Sequence, residues 1–184
     1  MSRAVFLDRD GVINRALVRE GKPLAPRLLE EFELLPGVAS ALAALKEAGY
    51  RLIVVTNQPD VATGKTAREI VEAMHARLLS ELPIDDVYAC YHTDEHACAC
   101  RKPRPGMLLD AAKKWGIDLT ESLLVGDRWR DIEAGRAAGC RTLLVESDYR
   151  ERRAEADHAV ASLAEASQLI CSETSSIQQE AAAR

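Results

Sequence analysis

Short apolar runs of strand character alternate with helix-period segments from one end of this chain to the other, and that alternation leaves few folds open. Ala4 to Leu7, Leu52 to Val55, Asp86 to Tyr91, Leu123 to Val125 and Thr142 to Val145 read as five strands. The first two are rich in residues that suit a strand covered on both faces. After Pro36-Gly37, Val38, Leu42 and Leu45 recur at helical spacing until Gly49 stops the pattern. Thr66-Ala67-Arg68-Glu69 reads as a capping box ahead of Ile70, Met74 and Leu78 on one helix face. Pro105-Gly106 opens a helix ending near Gly116, and Ile132 to Ala138 makes another, closed by Gly139. Such an order demands a parallel sheet with helices on both faces and places ligands outside the carboxyl ends of the strands.

The chain has 184 residues, which fits one domain, expected over residues 1–171. A last helix is predicted from Ser162 to Glu165 through Leu169, and the polar stretch 172–184 is expected to be a flexible tail. A formal net charge of -5 does not favour nucleic acid as a partner. There is neither an apolar run long enough for a membrane nor a signal-peptide pattern, so a cytoplasmic location is expected. Five cysteines is an odd number, and Cys90, Cys98 and Cys100 crowd together, which in a reducing compartment points to a metal rather than to disulfides.

Asp8 and Asp10 lie just beyond the first strand in Phe6-Leu7-Asp8-Arg9-Asp10-Gly11, and Asp127 just beyond the fourth in Val125-Gly126-Asp127. Each alone is an ordinary turn or helix cap. Together they bring three carboxylates to one sheet edge, the hard-oxygen environment that Mg²⁺ prefers. Thr56 and Asn57 follow the second strand in the same way and offer a hydroxyl and an amide to a phosphate oxygen. Lys102 supplies a cation to hold a phosphoryl group.

Cys90-Tyr91-His92 followed by Cys98-Ala99-Cys100 gives three thiolates and an imidazole, the ligand set of a closed structural Zn²⁺ site, with His96 as an alternative nitrogen ligand to His92. Arg101 and Lys102 follow the last ligand directly, so fixing Cys100 fixes where those cations point. Cys140 and Cys171 are assigned to packing.

Asp8-Arg9-Asp10-Gly11, Val55-Thr56-Asn57, Arg101-Lys102-Pro103 and Gly126-Asp127 through Asp131 resemble the four ordered motifs of the haloacid dehalogenase superfamily, from about Val5 to about Val145. The resemblance implies a Rossmann-like three-layer α/β/α fold with strand order 5-4-1-2-3, and the short stretches between motifs leave no room for a large cap domain. It further implies an aspartyl-phosphate mechanism. Asp8 would be the nucleophile, and Asp10 the acid and then base, giving its backbone carbonyl to Mg²⁺. Thr56 and Lys102 would bind the phosphoryl oxygens, Asp127 would join Asp8 at Mg²⁺, and Asp131 would be the last motif's second acid.

The cysteine spacing followed by Arg-Lys-Pro is similar to that of phosphatases acting on heptose 1,7-bisphosphate and on histidinol phosphate, and Arg104-Pro105-Gly106-Met107 resembles the heptose group more. That likeness implies a monomeric enzyme that removes the 7-phosphate of a small phosphorylated sugar, with Arg101 reaching the distal phosphate or the sugar. Pro59-Asp60-Val61-Ala62-Thr63-Gly64 departs from that group's Ser-Gly-Ile-Ala-Arg-Gly, so one arginine is missing. Acids, a Thr and a Lys at a parallel-sheet edge also describe a phosphoacceptor signalling domain, against which Asp10 and the cysteine loop argue.

Overall fold

The computed structural model describes residues 2–152 and 154–182. Its main sheet has six parallel strands: β1 (Ala4–Leu7), β4 (Arg51–Asn57), β5 (Asp86–Cys90), β6 (Leu123–Gly126), β7 (Arg141–Val145) and β8 (His158–Val160), in the order β5-β4-β1-β6-β7-β8. The five strands expected from sequence stand in the implied order. The edge strand β8 was not anticipated, nor was the antiparallel hairpin of β2 (Leu17–Arg19) and β3 (Lys22–Leu24).

β1 lies at the centre because every one of its side chains is buried. Val5 and Leu7 enter one core cluster and Ala4 and Phe6 the other, as the two-residue period of a strand requires. The Val5 side is covered by α1 (Val38–Glu47), α3 (Arg68–Glu81) and α6 (Leu163–Ala182) through Leu42, Leu45, Met74, Leu78, Leu163 and Ile170. The Phe6 side is covered by α4 (Gly106–Trp115) and α5 (Trp129–Ala138) through Met107, Leu108, Ala111 and Ala134. Truncating Phe6 to Ala in so closed a site costs roughly 3–5 kcal/mol. The single turn α2 (Pro59–Ala62) follows β4.

Two expectations need correction. Thr66 makes no capping box: α3 starts at Arg68 with Ala67 as its uncapped N-cap, and the Thr66 hydroxyl donates instead to the Arg27 carbonyl at 3.0 Å. The last helix does not end near Leu169: α6 continues to Ala182, so 172–182 are helical. Thr174 is buried on it, with its hydroxyl 2.9 Å from the Tyr50 hydroxyl, and the Cys171 thiol faces the Ala44 carbonyl of α1. Residues 183 and 184 of the expected tail lie outside the described residues. No helix among the described residues is long and apolar enough to cross a membrane.

Candidate active site

Adjacent strands β4, β1 and β6 end side by side, so Thr56, Asp8 and Asp127 are brought together by sheet topology alone. Lys102 arrives from the loop after β5, and its ammonium is 2 % exposed. That group sits 2.8 Å from Asp8 Oδ1 and 2.5 Å from Asp131 Oδ1, and it donates to the Val55 carbonyl at 2.7 Å, so all three of its protons are engaged. Burial alone would depress this lysine, but the charges of Asp131 and Asp8 outweigh it and hold the ammonium protonated.

Asp8, Asp127 and Asp131 bring one carboxylate oxygen each within 4.8 Å of one another, all buried. Burial first, then the charge of Asp131, pushes Asp8 up to about 6 against the pull of Lys102. Asp127 is raised well above its ordinary value by burial and by the charges of Asp8 and Asp131, although the Tyr149 hydroxyl on its Oδ2 at 2.8 Å works the other way. Its other oxygen, Oδ1, is buried with no hydrogen-bond partner among the described residues. One ammonium does not balance three clustered carboxylates, and an orphaned buried oxygen is costly. A divalent cation with oxygen ligands fits this set of donors. Packing leaves no slack around it: a Cβ on Gly126 would lie 2.2 Å from the Asp131 Cβ.

The Asp10 carboxylate lies outside that cluster but lines the same pocket. It takes hydrogen bonds from Arg9 Nε at 3.2 Å and Nη2 at 3.0 Å, from Asn14 Nδ2 at 2.9 Å, and from Gln58 Nε2 at 2.7 Å. Arg9 is fully buried, and its Nη1 meets His75 Nε2 at 3.1 Å. Burial and the Arg9 charge hold His75 down to about 4, so the ring is neutral near pH 7 and accepts that bond. Gln58 Nε2 also donates to Thr56 Oγ1 at 2.8 Å, which leaves the Thr56 proton free for an oxygen in the pocket.

Asn57 has a task that the sequence did not suggest. Its amide exchanges two bonds with the backbone of Lys102, Nδ2 to the carbonyl at 3.0 Å and the Lys102 N–H to Oδ1 at 3.1 Å, so it places the lysine while lining the same pocket. Arg101 faces Asp94 at 2.8 Å and lines a neighbouring hollow with Thr93, Cys98, Lys102 and Arg104. The cations that line the pocket of Asp8, Asp10 and Thr56 are Lys102, Arg128 and Arg130, with Pro23 and Leu24 of the hairpin at its rim. Arg130 stacks 4.6 Å from the Trp129 ring and donates to Asp94 at 3.1 Å.

Cys90, His92, Cys98 and Cys100 converge beside this pocket. Cys100 Sγ is 3.1 Å from Cys90 Sγ, 3.4 Å from Cys98 Sγ and 3.5 Å from His92 Nδ1. Donors at tetrahedral corners around a zinc-sized ion have edges of about this length, given Zn–S near 2.3 Å. His92, not His96, is the histidine gathered with the three thiols, and His96 Nδ1 accepts from the Thr93 N–H at 3.1 Å. Burial pushes the Cys90 thiol up to about 12, whereas hydrogen bonds from Cys100 and the Arg101 backbone overcome burial at Cys98 and hold it down to about 6. The loop is pressed onto the start of α4, where a Cβ on Gly106 would lie 2.4 Å from the Ala99 carbonyl oxygen.

The description "haloacid dehalogenase-like hydrolase" belongs to the family model that matches residues 17–139, well over half of the chain. The chain belongs to that family. Among curated relatives of this hydrolase, D-glycero-beta-D-manno-heptose-1,7-bisphosphate 7-phosphatase of Rhodopseudomonas palustris is 43% identical over 148 residues, 74% of this chain and 79% of the relative. The enzyme of the same name from Pseudomonas aeruginosa is 38% identical over 154 residues, 80% of this chain and 83% of the relative. Among solved structures, D,D-heptose 1,7-bisphosphate phosphatase from B. bronchiseptica, complexed with magnesium and phosphate, superposes with a TM-score of 0.80 at 31% identity, covering 93% of this chain and 99% of that one.

Sequence reasoning missed Arg9, Gln58, His75, Arg128, Arg130 and Tyr149. For the hydrolase motif acids the signal was position at a strand end. None of the missed residues carries a comparable mark except Arg128 and Arg130, which flank Trp129 directly after the Gly126-Asp127 motif.

Proposed function

We propose that this hydrolase is a Mg²⁺-dependent phosphatase that removes the 7-phosphate of D-glycero-D-manno-heptose 1,7-bisphosphate. The observation that carries the reading is the Lys102 ammonium held between Asp8 and Asp131 beside the unpartnered Oδ1 of Asp127, an arrangement suited to a phosphoryl group. Asp8, Asp127 and the Asp10 backbone carbonyl are the groups that would hold Mg²⁺. When bound, the ion supplies neutralising charge between the nucleophile and the phosphate.

Asp8 attacks phosphorus, breaking the bond to the sugar oxygen and forming an aspartyl-phosphate. Asp10 gives its proton to that departing oxygen, so the sugar leaves as an alcohol. Asp10, now ionised, takes a proton from water, which attacks the acyl phosphate and frees Asp8 and inorganic phosphate. The four donors on Asp10 fix which of its oxygens faces the pocket. The Lys102 charge offsets, and the Thr56 hydroxyl binds, the equatorial oxygens, where the charge of a phosphoryl transfer is concentrated.

The heptose substrate is supported by the names of the relatives and by Arg128 and Arg130, which line the pocket where a second phosphate needs cations. They stand in for the arginine absent from Pro59 to Gly64. The tetrad Cys90, His92, Cys98 and Cys100 holds a structural Zn²⁺ in this reading, and Arg101 completes the distal side of the site.

The test is a phosphate-release panel with both anomers of heptose 1,7-bisphosphate, histidinol phosphate and simple hexose phosphates. Highest kcat/KM on a heptose bisphosphate is expected. Preference for histidinol phosphate removes the substrate assignment, and retention of one phosphate per chain without turnover would make the protein a phosphoacceptor instead.

A further inference from the structure

Tyr149 lies beyond the last matched motif, in Ser147-Asp148-Tyr149-Arg150 between β7 and β8, yet its hydroxyl reaches Asp127. It donates to Oδ2 at 2.8 Å, and Asp127 Oδ1 is left buried and without a partner among the described residues. Oδ2 is trapped from the other side as well. Gly11, at φ 91°, comes so close that a Cβ there would lie 1.9 Å from Asp127 Oδ2 and 2.9 Å from the Tyr149 hydroxyl.

The residues flanking Tyr149 are held from several directions. The Arg150 N–H donates to the Gly21 carbonyl of the hairpin at 2.7 Å, and Arg128 Nε donates to Glu151 at 2.9 Å. Ser147 Oγ approaches the Asp127 carbonyl at 3.5 Å. The β7–β8 loop thus crosses the end of the sheet and delivers one phenol to one carboxylate oxygen.

We propose that Tyr149 is a positioning residue for the cation site, fixing Asp127 so that Oδ1 alone faces the ion. The proposal rests on the reading of Asp127 as a Mg²⁺ ligand. A phenol suits the task better than a second lysine, because a neutral donor orients the carboxylate without cancelling the charge the cation needs. Groups that orient a metal ligand from behind are typically worth about 10–100-fold in metal affinity.

The test is Mg²⁺ binding by calorimetry on the full chain, comparing wild type, Y149F and D127N, with Tm measured without metal as a fold check. Y149F keeps the ring and removes only the donor. It should bind Mg²⁺ about 10–100-fold more weakly at unchanged Tm, and should recover wild-type kcat and KM when Mg²⁺ is saturating. Unchanged Mg²⁺ affinity in Y149F overturns the proposal. If D127N loses binding while Y149F keeps it, the metal assignment stands and only the role of Tyr149 falls. If D127N binds Mg²⁺ as wild type does, the metal assignment itself fails, and this proposal with it. Should Y149F not fold, 3-fluorotyrosine at position 149 asks the same question: its ¹⁹F resonance should shift as Mg²⁺ is added, and a resonance that does not move overturns the proposal.

Discussion

Asp8, Asp127 and Asp131 are drawn from the ends of β1 and β6 and from the first turn of α5, whereas Cys90, His92, Cys98 and Cys100 come from one loop and the strand residue before it. The acids meet only after the sheet has formed, and the fold holds them together against their repulsion. The thiols are joined by a short loop whose closure entropy is small, so a metal can gather them with little help from the sheet. One cluster is therefore a product of the fold, whereas the other, in the proposed reading, would take its local order from a bound metal.

The largest expected effect breaks the acid cluster. Asp8→Asn should lower kcat by at least about 10⁴-fold, as loss of an attacking group does. Its metal-free Tm should be equal or higher, because a repelled buried charge has been removed. Rates with a fixed sugar phosphate and a thermal melt of the same sample check both halves, and a substantial residual kcat removes Asp8 as the nucleophile.

Breaking the thiol cluster should act through geometry alone. Elemental analysis should find about one zinc per chain. Cys100→Ser, or zinc stripped by a chelator, should reduce kcat/KM by about 10²-fold, the cost of misplacing a group by around 1 Å. Mg²⁺ affinity measured by calorimetry should stay near wild type. A parallel loss of Mg²⁺ affinity would show that the two sites are not independent, contrary to the contrast drawn above.

A smaller effect sharpens the division between chemistry and recognition. Arg130→Ala removes a pocket cation that touches none of the three acids, and should raise KM for a bisphosphate about 10-fold, as loss of one charge-assisted hydrogen bond does. KM for a monophosphate should hardly change, and steady-state kinetics on the pair of substrates decides it.

The smallest effect concerns the support behind Asp10. His75 is held down to about 4 in the fold against 6.5 unfolded, so between those values the unfolded chain binds the extra proton and the folded protein loses stability as pH falls. His75→Gln should remove that loss, which is on the order of 3 kcal/mol at most between pH 6.5 and pH 4. Denaturant melts of both proteins across that range measure it, and parallel pH curves would exclude His75 as the source.

What could be read from sequence was whatever lies within a few residues of a strand end or at a fixed spacing. Asp8, Thr56 and Asp127 qualify on the first count, and the cysteines and His92 on the second. Residues that act across the fold left no local trace. Arg9 is indistinguishable from a surface arginine in the string Asp8-Arg9-Asp10, yet it is buried against His75 of α3. Asn57 was expected to face a phosphate, and only coordinates show that its amide also pairs with the Lys102 backbone. β8 and the β2–β3 hairpin are three residues per strand, too short for a period-two pattern to register. Thr66 satisfied the capping pattern, but the nearby Arg27 carbonyl outcompeted the helix for its hydroxyl.

The close approach of Gly106 to Ala99 carries a practical corollary for anyone recombining this protein with its relatives. Any β-carbon at position 106 drives the first turn of α4 into the cysteine loop, so loop and helix start must be exchanged as one cassette. A graft with its seam between Cys100 and Gly106 joins two surfaces that were never fitted to each other. One with both seams outside that span keeps the lysine on target.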